Sequence, residues 1–256
     1  MTTALVGSTG FVGGNLAVQQ QFDVLVNSRN GAELEGRHFD TVVFSAAKAE
    51  KWRINKDPES DRAHIAELEE LLSSFTAERL VLVSTVDVFG VPIGVDEDTE
   101  VDTEGLHAYG LHRYRLEQFA RERHPGALIV RLPGLFGSGL KKNVIFDLLR
   151  DNNVDRIHPD GLFQYYNLAH LSADISTAQD AGLSLVHLTS EPIATREIAS
   201  TIFGVSLDTP EGAAAGRYDF RTRHAGLFGG EGPYTRSREA TLAELREFVG
   251  SERAAS

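Results

Sequence analysis

The feature that most constrains this chain lies at its N-terminus. Thr3-Ala4-Leu5-Val6 reads as a short apolar strand, and Gly7-Ser8-Thr9-Gly10-Phe11-Val12-Gly13 follows it directly. Glycines at this spacing answer three physical needs: a tight turn with positive φ, close backbone approach to a ligand's phosphates, and room for a helix to pack on a strand. A helix predicted over residues 13–20 then aims its free amides and the positive end of its dipole at those phosphates. Strand, loop and helix together predict a dinucleotide pyrophosphate on Gly7, Thr9, Gly10, Phe11, Val12 and Gly13.

The rest of the first half keeps the same alternation. Further strands are predicted over residues 22–27, 40–45, 79–84 and 127–131, all short apolar runs of the kind buried on both faces of a parallel sheet. Helices are predicted over residues 58–75, with Ile65, Leu68, Leu71 and Leu72 at helical spacing, and over 108–122. The fold class is therefore α/β, a Rossmann-type doubly wound parallel sheet with a small C-terminal substrate-binding region. After Pro133 glycine and proline recur and strands are harder to read. Helices over 168–181, 194–203 and 241–249 and a strand over 185–189 are expected there. The predicted division is a dinucleotide-binding core over 1–132, with 168–190 returning to it, and a substrate lid over 133–167 and 191–256.

Composition narrows the function. The chain has 256 residues, no cysteine and a formal net charge of −12. The absence of cysteine excludes disulfides, thiolate nucleophiles and cysteine-ligated metals. Nine histidines occur without the spacing of a metal site, so no metal is expected. The acidic balance argues against nucleic-acid binding. No apolar run approaches the roughly 18 residues that span a bilayer, and no signal-peptide pattern opens the chain, so a cytoplasmic protein with no membrane association is expected.

The end of the second strand chooses between nicotinamide cofactors. An acidic residue there would hold a ribose 2′-hydroxyl. This chain instead has Asn27-Ser28-Arg29-Asn30. Ser28 can hydrogen-bond a 2′-phosphate and Arg29 can pair with it, so NADP is expected, with NAD as the alternative.

The fourth strand ends in Val83-Ser84-Thr85-Val86-Asp87-Val88-Phe89-Gly90, and Tyr109-Gly110-Leu111-His112-Arg113 comes later. Phe39 to Ala47, Pro58 and Arg131-Leu132-Pro133-Gly134-Leu135-Phe136-Gly137 complete a pattern. On these residues the chain, over about residues 3–200, resembles the extended short-chain dehydrogenase/reductases, the NAD-dependent epimerase/dehydratase family. The resemblance implies a proton-transferring tyrosine at Tyr109 and an orienting hydroxyl at Thr85, with Ser84 as second choice. It places Ala46, Ala47 and Pro133 beside the cofactor. Arg113 stands where the family carries a lysine four residues after the tyrosine. A guanidinium there still favours tyrosinate by charge and can bond a ribose, but it cannot relay a proton at neutral pH. The implied enzyme is an NAD(P)-dependent epimerase or reductase acting on a sugar or nucleotide-sugar. The alternative is a non-catalytic NAD(P)-binding regulator or scaffold that has lost the lysine.

Asp87 occupies the second acidic position of the 4,6-dehydratases' Thr-Asp-Glu run, but Val86 fills the first, which disfavours dehydration. Asp87 reads equally as a substrate contact or as a capping carboxylate. Lys141, Lys142 and Asn143 lie where similar proteins bind the sugar nucleotide, and Arg221, Arg223 and His224 form a second polar cluster. Each cation reads equally as a solvated surface charge. Gln164, Tyr165, Tyr166 and Asn167 line a sugar pocket on one reading, since rings and amides suit polyhydroxyl ligands; Tyr165 and Tyr166 read equally as lid core. The resemblance also implies a homodimer through the helices after strands three and four.

Overall fold

The computed structural model describes residues 1–212 and 214–255. In chain order its main elements are β1 (Thr3–Val6), α1 (Phe11–Gln19), β2 (Val24–Val26), β3 (His38–Phe44), α2 (Lys51–Lys56), α3 (Pro58–Ser73), β4 (Thr76–Thr85), α4 (Ala108–Arg123) and β5 (Leu128–Leu132). There follow β6 (Gly134–Phe136), α5 (Val144–Arg150), β7 (Leu162–Phe163), β8 (Tyr165–Asn167), α6 (Leu171–Asp180), β9 (Leu185–His187), β10 (Ile193–Ala194), α7 (Thr195–Ile198) and α8 (Arg238–Ala254). The chain forms two units: residues 1–90, 99–132 and 171–186, and residues 91–98, 133–170 and 187–256.

The first unit is built on a six-stranded parallel sheet in the order β2-β1-β3-β4-β5-β9. Val6 pairs with Val26 on one side and Phe44 on the other, and Thr85 pairs with Leu132. The chain steps outward from β1 to β2 and then crosses back to β3, so the winding reverses between β1 and β3. Their carboxyl ends open the crevice that doubly wound sheets use for ligands. Right-handed crossovers send α1 and α3 to opposite faces. Accordingly α1 packs with α6, and α3 packs with α4.

The strands are apolar on both faces because helices cover both. Ala4, Leu5, Val6, Leu80, Val81, Leu82, Ile129 and Val130 are all buried. Ala4, Val6, Leu80, Leu82 and Ile129 pack with Ile65, Leu68 and Leu72 of α3, the same stripe visible in the sequence. Each such side chain contributes roughly 1.5–3 kcal/mol when fully buried. Pro58 opens α3 and Asp57 caps it, accepting from the Ser60 amide at 3.3 Å.

Some elements depart from expectation. Helix α1 starts at Phe11, two residues early, with Gly10 as its N-cap. Between β2 and β3 there is only a 3-10 turn, Gly31–Leu34. Helix α2 was not predicted, because its six residues bury only Ile54 and carry no apolar period. Helix α5 was also missed. The helix expected over 194–203 is one α-turn, α7, followed by a π-turn, Ala199–Phe203.

In the second unit β6 pairs with β8, and β7 with β10. Phe136, Ile145, Tyr165, Ile193, Ile198, Leu245 and Val249 form its core. Gln164 is buried within it, donating to the Ser190 and Phe220 carbonyls at 2.6 and 2.8 Å and accepting from the Phe220 amide at 2.8 Å. Among the described residues no helix is long and apolar enough to cross a membrane.

Candidate active site

The three loop glycines are glycines for different reasons. Gly7 has φ +88°, and a Cβ on it would lie 2.7 Å from the Ser45 carbonyl oxygen at the end of β3. A Cβ on Gly13 would lie 2.1 Å from the Gly7 carbonyl oxygen. Both positions are therefore closed by the chain's own backbone. Gly10 is different: its φ is −76°, and a Cβ there would meet only the Gly7 carbonyl oxygen, at 3.2 Å. Gly10 and Thr9 are exposed. Helix α1 has no side-chain cap and no acidic residue in its first turn. Its first amides have no intrahelical acceptor, and the helix dipole adds positive potential there. A helix end of this kind, beside a loop face kept bare by Gly10, fits a pyrophosphate.

Ala46 and Ala47 follow β3 at the same end of the sheet and are partly buried. Beyond β2, the Arg29 amide bonds the Asn27 side chain at 2.9 Å, while Ser28 and Arg29 are exposed. Glu33, in the following 3-10 turn, accepts from the Asn30 side chain at 2.9 Å. Pro133 begins the second unit directly after β5.

Thr85 ends β4, and Tyr109 lies in the first turn of α4. The two are brought together by a close approach: a Cβ on Gly110 would fall 2.0 Å from the Asp87 carbonyl oxygen, so only glycine lets α4 start against the turn Val86–Val88. The amides of that first turn are capped from two sides. His107 Nδ1 accepts from the Gly110 amide at 3.0 Å, and Asn55 Oδ1 of α2 accepts from the Tyr109 amide at 3.0 Å. Thr85 Oγ1 accepts from the Asp87 amide at 3.2 Å, and its hydroxyl lies beside the Tyr109 phenol.

Tyr109 is buried. Burial pushes its phenol above the ordinary value; the Arg113 charge opposes this, Asp87 adds to it, and the Thr85 hydroxyl and Lys51 lower it. The net shift is upward. His107 is lowered, first by burial and then by the Lys51 cation, against Asp87.

Arg113 shares the Tyr109 face of α4, with its guanidinium 4.8 Å from the phenol ring centroid. It is buried and pairs bidentately with Asp61 of α3, at 3.1 and 3.2 Å. It also donates to the Lys48 carbonyl. Asp61 holds His112 Nδ1 as well, at 2.8 Å. Asp87 pairs with Lys51 Nζ at 2.6 Å. One turn lower on α4, Glu117 accepts from Ser84 Oγ at 2.5 Å and from Arg131 Nε and Nη2 at 3.0 and 2.7 Å. Ser84 is thus engaged beneath the site, whereas Thr85 faces the phenol.

The substrate candidates other than Asp87 fall in the second unit. Asn143 Oδ1 caps α5, accepting from the Ile145 and Phe146 amides, and its Nδ2 donates to the Leu135 carbonyl at 2.8 Å. Lys141 and Lys142 are exposed. Arg221 pairs with Asp219 at 2.7 Å, and Arg223 pairs with Asp98. Tyr165 and Tyr166 are core.

Lys51, Asn55, Asp61, His107 and Glu117 were not singled out in the sequence. For Asp61 and Glu117 a signal existed: a carboxylate on the inward face of a helix demands a buried partner. Lys51 and Asn55 share one face of α2 at i, i+4, but nothing in the sequence marks α2.

No protein-family profile matches the chain, and no curated protein matches it significantly. Solved structures do match over its full length. A dTDP-4-dehydrorhamnose reductase from Bacillus anthracis str. Ames in complex with NADP is 18% identical with a TM-score of 0.77, over 98% of this chain and 99% of that one. MoeE5 in complex with UDP-glucuronic acid and NAD is 16% identical with a TM-score of 0.76, over 100% of both chains. A UDP-glucose 4-epimerase from Thermotoga maritima, with UDP-glucose, is 14% identical with a TM-score of 0.72, over 100% of this chain and 99% of that one. The chain has the α/β fold of these reductases and epimerases.

Proposed function

We propose that this protein is an NAD(P)-dependent oxidoreductase or epimerase of the extended short-chain dehydrogenase/reductase type, acting on a sugar or nucleotide-sugar. The observation that carries the reading is the docking of α4 against the turn after Thr85, which sets the buried Tyr109 beside Thr85 at the carboxyl edge of the same parallel sheet that bears the glycine loop. The solved structures of like fold support it, since they include enzymes in complex with NAD or NADP and with UDP-sugars.

On this reading the α1 amides and the face of Gly10 hold the pyrophosphate, with Ala46 and Ala47 alongside. Ser28 and Arg29 receive the adenosine ribose, and their chemistry favours a 2′-phosphate, hence NADP. A nicotinamide held there supplies hydride exchange with a carbinol or carbonyl carbon. Thr85 orients the substrate oxygen. Tyr109 gives that oxygen its phenolic proton in reduction, or takes the carbinol proton in oxidation. Asp87 reaches substrate hydroxyls, and Lys142, Asn143 and Arg221 belong to the substrate-binding region.

The test is direct. Purified protein is assayed with NADPH or NADH against a panel of keto-sugar nucleotides, and with UDP-hexoses for epimerisation. Turnover in the wild type, its loss in Tyr109→Phe and unchanged NADPH affinity in that variant are expected. Full activity of Tyr109→Phe overturns the assignment. Arg29→Ala should weaken NADPH more than NADH, and tighter binding of NADH by the wild type overturns the NADP preference.

A further inference from the structure

Tyr109 is the second residue of α4, so its place depends on how that helix begins. A helix leaves its first amides without intrahelical acceptors, and asparagine, aspartate, serine and threonine are the side chains that ordinarily cap them. Here the cap is an imidazole. His107 has extended backbone, and its carbonyl accepts the first intrahelical bond, from the Leu111 amide at 3.0 Å. Its Nδ1 accepts from the Gly110 amide, also at 3.0 Å. Gly110 makes room for the ring, since a Cβ there would lie 3.0 Å from His107 Cε1. The Tyr109 amide is taken by Asn55 Oδ1 at 3.0 Å. The His107 and Tyr109 rings lie 6.4 Å apart, within the range of aromatic pairing.

An Nδ1 that accepts from an amide carries no proton. His107 is therefore neutral, with its ring hydrogen on Nε2. A second proton, at Nδ1, would set one N–H against another and break the cap. It would also place a cation at a helix N-terminus, where the dipole opposes it. A serine, threonine or asparagine cap has no such sensitivity.

We propose that His107 is a positioning residue for Tyr109: as a neutral imidazole it closes the first turn of α4, and its protonation in mild acid opens that turn and lowers turnover. The inference rests on the proposed reading of Tyr109 as the proton-transferring group. His107 acts through Tyr109, by fixing the helix start from which the phenol projects. The charged and titratable groups around the imidazole are Lys51 from α2, Asp87 from the turn after β4 and Tyr109 from α4 itself. Burial, and then the Lys51 cation, hold the ring below the ordinary imidazole value, against the pull of Asp87. The cap is therefore intact at neutral pH and opens only below the ordinary imidazole range, about 6.5.

The experiment compares the full-length wild type with His107→Asn, which caps without titrating, and His107→Ala, which does not cap. Reduction of a keto-sugar nucleotide is followed at saturating NADPH between about pH 5 and about pH 8. Reduction uses the protonated phenol, so a loss of rate in acid does not come from Tyr109. The wild type should lose roughly two- to thirtyfold as His107 takes its second proton, the range of a lost helix cap. His107→Ala should show that loss at every pH. His107→Asn should recover most of it and flatten the acid limb. A second readout needs no turnover. In 1H–15N spectra of the histidine rings, the His107 signals, identified by their absence in His107→Asn, should show the Nε2–H tautomer and titrate below about 6.5. The unfolded chain then binds protons better than the folded one. The wild-type urea midpoint should therefore fall from about pH 7 to about pH 5 more steeply than that of His107→Asn. An acid limb unchanged in His107→Asn, or an Nδ1–H tautomer, overturns the proposal. A wild type that turns over no substrate, while His107 shows the Nε2–H tautomer and the steeper acid loss of stability, supports the titrating cap and instead defeats the functional reading.

Discussion

Glu117→Ala tests how the Thr85–Tyr109 pair is held in register. Glu117 lies two turns below Tyr109 on α4 and takes hydrogen bonds from Ser84 of β4 and Arg131 of β5. It therefore ties the helix carrying the phenol to the strand carrying the hydroxyl. The Glu117 side chain is 0% exposed and that of Arg131 2%. Removing one partner leaves a guanidinium buried without its counter-charge, which costs about 3–5 kcal/mol. At roughly 2–4 °C per kcal/mol for a chain of this size, Tm should fall by about 6–20 °C. Glu117→Gln keeps the shape and part of the hydrogen bonding, so it should lie between. Replacing both partners by apolar residues of similar volume should return much of the loss, because no buried charge is then stranded. Differential scanning calorimetry of the four proteins reads these values. A Glu117→Ala Tm within about 2 °C of wild type would falsify the claim that this pair is dry and mutually dependent.

Gly13→Ala should destabilise the fold by about 1–3 kcal/mol in urea, because its Cβ meets a carbonyl oxygen that cannot easily retreat. Gly10→Ala should leave the urea midpoint nearly unchanged yet weaken NADPH binding in a fluorescence titration; equal affinity would move the pyrophosphate off this loop. Stability should decline above about pH 10. Burial holds Tyr165 and Tyr109 above the ordinary phenol value, and burial with the Asp219 hydrogen bond pushes Tyr234 up to about 12. Unfolded tyrosines ionise first, so the unfolded chain binds fewer protons there and unfolding is favoured as pH rises. A urea midpoint that does not fall between pH 8 and about pH 11 contradicts this.

The fold was legible where local pattern and burial agree. The alternation of apolar strands and amphipathic helices gave the α/β class, and Ile65, Leu68 and Leu72 face the core as their spacing requires. Boundaries slipped where a cap lacks a side chain, as at Gly10, and α2 was invisible because six residues with one buried side chain carry no period. Tyr165 and Tyr166 read equally as pocket or core in the sequence, and their burial makes them core; Gln164 reads there as pocket-lining, yet it too is buried.

The sequence by itself determined the glycine loop between a strand and a helix, the missing acid after β2, and the pairing of Thr85 with Tyr109 as candidates. These are signals of local chemistry, and a chain of residues carries them in order. Only the tertiary structure decided which groups compensate which charges. That Arg113 is committed to Asp61, that Ser84 belongs to Glu117 and Arg131, and that Lys51 comes to Asp87 depend on residues distant in the chain. The physical reason is that a charge's effect depends on distance and burial, and both are set when the helices dock on the sheet.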